Sequence, residues 1–170
     1  MIKLSKGMIP CVFKSYLLDN SGFNKVFGVF GNSVAPTRAE IQSLLNLNET
    51  NGEEFTITPK QIAEINPTAE LRTEITYGPA FVAEQLSTNF FRFETSLASE
   101  EFVNRSVGDA SWFMFAITSA NNVNGSEDIP LAFIGSVGDS ESDADIRIID
   151  ELIGNSTNYL LNDLEISYRV

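Results

Sequence analysis

A mainly β domain, an antiparallel β-sandwich of jelly-roll-like outline with two or three short helices at one side, is the fold this sequence predicts over residues 1–170. Three observations predict it. Roughly eight segments show a two-residue apolar alternation or are apolar on both faces, as strands require. Polar loops separate them, about ten residues apart toward the C-terminus, and no βαβ alternation occurs. The sequence also holds 13 phenylalanines, a residue that favours pleated surfaces and buries a large area without a polar tip.

The elements follow in order. Residues 8–19 read as a short helix with Met8, Val12 and Tyr16 on one face and Pro10 tolerated in its first turn. Asn20-Ser21-Gly22 ends it as a turn. Residues 23–31 read as a strand, with Phe23, Phe27 and Val29 on one face and Val26 and Phe30 on the other, so it is expected to be buried on both sides. Thr37 and Glu40 have capping-box spacing, and Ile41, Leu44 and Leu45 follow at helical spacing, which predicts a helix over 38–46. A polar loop containing Asn51-Gly52 comes next, then a short strand with Phe55 and Ile57. Thr58, Pro59 and Gln61 repeat the helix-start signature for a second small helix, with Ile62 and Ile65 apolar and Pro67 as its stop.

In the strand predicted at 70–77, Leu71, Thr73, Ile75 and Tyr77 face in, and Glu70, Arg72, Glu74 and Thr76 face out. Residues 90–97 repeat that alternation. Residues 111–118 and 131–137 are apolar on both faces, and Trp112 reads as core rather than as a sugar-stacking platform. Strands are also predicted at Ile146–Ile148 and over 160–170. A sheet that is apolar on both faces needs a helix or another subunit to cover the second one.

Composition excludes several functions. Hydrophobic residues make up 43% and charged residues 20%, which supports a core. A net charge of −12 repels phosphates, so neither nucleic acid nor an anionic membrane is an expected partner. With no histidine, Ser-His-Asp and Cys-His catalysis and most catalytic zinc sites are ruled out. Cys11 is the lone cysteine and reads as a small buried hydrophobe. The N-terminus lacks the apolar run of a signal peptide. The Asn-x-Ser/Thr triplets at Asn48, Asn104, Asn124 and Asn155 therefore read as chance. No enzyme activity and no cofactor are expected.

The sharpest polar constellation is Asp139, Glu141, Asp143 and Asp145, which imitates the spacing of a calcium loop. Ala144 stands where such a loop needs glycine, and the flanks read as strands, so the competing reading is a solvated hairpin loop. For contact with partners, Phe30 and Phe90 are the aromatic candidates.

Several motifs stand in a fixed order: Tyr16-Leu17-Leu18-Asp19, the stretch from Val26 to Thr37, Leu44-Leu45, Gly108 to Phe113, Gly135-Ser136-Val137-Gly138, Ala144-Asp145-Ile146 and Asp163-Leu164-Glu165-Ile166. That order resembles a family of small structural proteins of tailed-phage virions. The acidic loop before Ala144 is longer than the family's, and residues 48–90 offer little match. The resemblance implies a virion component (head decoration, neck or tail) assembled in the bacterial host cytoplasm. It would contact other virion proteins and form a homo-oligomer, with no catalytic residues. A carbohydrate- or receptor-binding module on the virion is the alternative.

Overall fold

The computed structural model describes residues 23–52, 57–77, 82–87, 90–101, 103–127, 129, 131–139, 141–147, 152–153 and 160–169. The helix expected over 8–19, Cys11 and Asn155 lie outside them. Eleven strands and two helices are present among the described residues. They are β1 (Asn24–Gly31), α1 (Arg38–Thr50), α2 (Pro59–Glu64), β2 (Glu70–Tyr77), β3 (Val82–Ser87), β4 (Phe90–Glu101), β5 (Val103–Asn104), β6 (Gly108–Asp109), β7 (Trp112–Thr118), β8 (Leu131–Gly138), β9 (Ile146–Arg147), β10 (Leu152–Ile153) and β11 (Leu160–Arg169).

The protein is mainly β. A six-stranded sheet has the order β5-β2-β1-β7-β8-β9, a three-stranded sheet the order β11-β4-β3, and β10 pairs with β6. In the large sheet β1 is central, with Phe27 opposite Ile75 of β2 and opposite Phe115 of β7. A register shift between Val29 and Phe30 moves the end of β1 against β2, so Phe30 meets Leu71.

Both helices start where their capping signatures stand. The Thr37 N–H and hydroxyl both donate to Glu40 Oε2 at 2.7 Å, and the Glu40 N–H donates back to Thr37 Oγ1. Thr58 and Gln61 form the same reciprocal pair before α2, with Pro59 just inside. Helix α1 runs to Thr50, beyond the expected stop at 46. Asn48 is buried there and donates from Nδ2 to Gln61 Oε1 of α2, so packing extends a helix whose own sequence turns polar.

One face of the large sheet carries Val26, Phe30, Trp112, Met114 and Ala116, and Ile57, Ile62 and Val123 close over it. Ile41, Leu44 and Leu45 of α1 pack at its margin. Ile57 is thus a core residue, and its carbonyl accepts from the Ile129 N–H. Phe27, Val29, Ile75, Phe115 and Ile117 lie on the opposite face and are equally buried. Lys25, on that same side of β1, is wholly buried as well. The two-sided burial expected for β1 and β7 is therefore achieved within one chain, without a second subunit.

Two expectations are corrected. The sheet is mixed rather than purely antiparallel, because β9 runs parallel to the end of β8, pairing Val137 with Ile146 and Gly138 with Arg147. Among the described residues β8 and β9 form no hairpin, and the Asp145 carboxylate bonds Ser136 just before β9 begins. The second correction concerns Arg72 and Glu74, placed on the wet face of β2 by alternation. Both are buried, 2% and 5% exposed, beneath the segment 103–109 that folds back over the strand.

Candidate functional site

Three places merit a functional reading, beginning with the acidic loop. Two of its four carboxylates, those of Asp139 and Asp145, are used to fold the loop. Asp139 Oδ1 accepts the Glu141 N–H at 3.0 Å, and the Ser142 hydroxyl donates to the Asp139 carbonyl at 2.8 Å. Asp145 Oδ2 accepts both the N–H and the hydroxyl of Ser136 at 2.9 Å, while the Asp145 N–H donates to Ser136 Oγ. Those donors hold the Asp145 carboxyl below its ordinary range, the backbone N–H first and the hydroxyl second. No group of three or more potential metal ligands converges among the described residues. Asp139 and Asp145 each bond within this region, and Asp139, Glu141, Asp143 and Asp145 are not brought together as one group.

The second place lies under the segment 103–109. Arg72 Nη1 donates to Ser106 Oγ at 2.9 Å and to the Val107 carbonyl at 3.0 Å, and Nε donates to the Asp109 carbonyl at 3.2 Å. Glu70 sits 3.0 Å from the same guanidinium and is half exposed. Glu74 joins two loops at once: Oε1 accepts from Arg105 at 2.8 Å, and Oε2 accepts the Val123 N–H at 3.2 Å. The Arg105 and Ser106 N–H groups both reach the Arg72 carbonyl. Gly31 and Gly108 give the guanidinium its room. A Cβ on Gly108 would stand 2.6 Å from Arg72 Cζ, and one on Gly31 2.5 Å from Arg72 Nε. Arg72, Glu74 and Arg105 are each matched to a donor or acceptor that shapes the fold. The signal missed in the sequence was the Arg72/Glu74 pair, spaced as if solvated.

The third place is the corner where β7 begins. Trp112 is 0% exposed, its ring lies 4.1 Å from that of Phe30 at an interplanar angle of 10°, and its Nε1 donates to Ser33 Oγ at 2.9 Å. Ser111 donates from Oγ to the Ser33 carbonyl and from N–H to the Phe30 carbonyl. Its own carbonyl accepts the Val137 N–H, Trp112 stands opposite Ser136, and Asp145 holds Ser136 from the far side. Four motifs that are far apart in the sequence therefore meet: the turn after β1, the start of β7, the end of β8 and the approach to β9.

Phe30 is an interior residue at this corner, 2% exposed, and offers a partner no surface. Phe90 pairs through its backbone with Arg169 and Ser87 in the middle strand of the small sheet; its side chain is outside the described residues. Trp112 is equally unable to serve as an exposed sugar platform. Among the described residues, the large apolar side chains that do reach solvent are Val34 (76%), Leu47 (55%), Val103 and Val107 (both 51%). Val34 stands next to Ser33 on the corner, and Val103 and Val107 lie on the segment covering Arg72. Among the described residues, the end strands of the large sheet, β5 and β9, are two residues each, and β9 pairs only with Val137 and Gly138 of β8. Comparison with family models, curated proteins and solved structures found no match for the protein.

Proposed function

We propose that this protein is a structural component of a tailed-phage virion that works by protein–protein contact, with no catalytic step and no cofactor. The observation that carries the reading is the convergence at the β7 corner. Four of the seven motifs behind the family resemblance meet there, and their polar atoms are used to hold strands together. A signature of that kind belongs to a scaffold, since a signature of catalysis would bring reactive groups into an open space.

In this reading the three-stranded sheet is the second layer of a sandwich. Its support is the buried state of Phe27, Val29, Phe115 and Ile117, and the approach of β4 to β2. Val34, Val103 and Val107 supply apolar contact on the surface, and the acidic loops keep free subunits apart before assembly. A stable contact needs about 800 Å² per partner, more than these three residues supply alone, and Phe90 remains a further candidate.

The test is assembly. Light scattering on the native protein, and its co-sedimentation with particles of the phage genome that encodes it, should show oligomers or particle binding. Val34→Glu and Val107→Glu should each weaken that association while leaving the melting temperature close to native, because both residues are exposed. A monodisperse monomer at high concentration with no affinity for those particles would overturn the proposal.

A further inference from the structure

We propose that Asn51 is a site of spontaneous backbone-assisted deamidation, and that the fold directs this chemistry to Asn51 while protecting the protein's other Asn-Gly pair at Asn124. The sequence contains both pairs, Asn51-Gly52 and Asn124-Gly125. The structure treats them oppositely.

The reaction is an attack by the backbone nitrogen of the following residue on the amide carbon, Cγ, of the asparagine. A bond forms between that nitrogen and Cγ, and the bond from Cγ to Nδ2 breaks. The attacking nitrogen gives up its proton, and Nδ2 leaves as ammonia. Water then opens the cyclic imide at either carbonyl, leaving aspartate or isoaspartate. The attack requires the peptide between the two residues to rotate, and a side chain on the second residue obstructs that approach. Glycine removes the obstruction, provided its surroundings let it move.

Asn51 and Gly52 meet both conditions. They follow the last residue of α1, and both are exposed. Gly52 has φ +80°, and among the described residues beyond its chain neighbours a Cβ built on it would have no atom within 4 Å. The Asn51 N–H is held by the Leu47 and Asn48 carbonyls at 3.0 and 3.1 Å, so the asparagine is anchored while the peptide beyond it faces solvent.

The peptide at Gly125 is pinned on both sides. Its N–H, the would-be nucleophile, donates to the Asn122 carbonyl at 3.2 Å, and its carbonyl accepts the Lys60 N–H of α2 at 3.1 Å. The Asn124 N–H donates to Asn122 Oδ1 at 2.9 Å. Ala120 and the Glu127 carboxylate fill the space beside Gly125. Reaction at Asn124 therefore needs this turn to open first, which costs free energy that Asn51 does not require.

Conversion adds a negative charge to a protein already at −12. It places that charge at the C-terminal end of α1, where the helix carbonyls disfavour an anion and no basic residue stands in the last turn.

The experiment ages the purified full-length protein in warm, mildly alkaline buffer, with and without denaturing urea. Peptide mass spectrometry localises the mass gain of amide-to-acid conversion, and enzymatic methyl transfer reads isoaspartate. In the native protein, Asn51 should convert more than about tenfold faster than Asn124, and in urea the two rates should approach one another. Asn51→Gln should abolish the native acidic isoform. Equal rates at the two sites in the native protein would overturn the proposal. So would an Asn51 that stays intact when folded and reacts only when unfolded.

Discussion

Replacing Arg72 by methionine tests the claim that a buried guanidinium holds the segment 103–109 onto β2. Methionine keeps the apolar stem and removes the donors, so the Ser106 hydroxyl and the Val107 and Asp109 carbonyls each lose a hydrogen bond from a charged group. A buried acceptor left without a donor costs about 1–3 kcal/mol. Val107 and Asp109 are themselves exposed, so water replaces part of the loss there, and the low end of that range applies. Three groups at about 1 kcal/mol each give a loss near 3 kcal/mol. Glu70 adds little, because it is half exposed and its ion pair is screened. For a protein of this size, about 3 kcal/mol lowers the melting temperature by roughly 6–12 °C. Thermal unfolding followed by circular dichroism measures that shift. Hydrogen exchange at Arg105 and Ser106, whose N–H groups bond the Arg72 carbonyl, should rise with it. A companion variant sharpens the reasoning. Gly108→Ala, at φ +148° and 2.6 Å from the guanidinium, combines backbone strain with a clash. Its cost should shrink in the methionine background, because the clash goes and only the strain remains. A methionine variant that melts within about 2 °C of the parent would refute the account of Arg72 as the clamp.

Ser33→Ala strands the buried Trp112 indole N–H and should cost about 1–2 kcal/mol in urea unfolding, with the tryptophan emission still that of a buried ring. Asp145 has a lowered folded pKa, so its contribution is present above the ordinary carboxylate range and is lost as pH falls through the lowered value. Asp145→Asn should therefore lower stability at neutral pH by up to about 1 kcal/mol and converge with the parent in acid, as melting curves against pH would show. Calcium at millimolar concentration should leave the melting temperature unchanged, because the acidic loop's carboxylates do not converge; a concentration-dependent rise would revive the calcium reading.

What the sequence determined by itself was whatever depends on neighbours a few positions apart. The capping pairs Thr37/Glu40 and Thr58/Gln61 start their helices through contacts within one turn. The apolar runs of β1 and β7 were legible as strands buried twice, and Trp112 as core, because a face's chemistry is written in alternate residues. Tertiary structure alone decided which polar faces stay wet. Arg72 and Glu74 alternate like solvated residues, yet the segment that buries Arg72 comes 34 to 37 residues later, and local periodicity carries no record of it. The direction of β9 was hidden for the same reason, since the Asp145–Ser136 contact and the pairing of Val137 with Ile146 span the loop, and its polarity carries no record of them. Phe30 passed from candidate contact residue to interior residue because the ring that covers it stands on β7, paired with β1 only once the sheet is assembled.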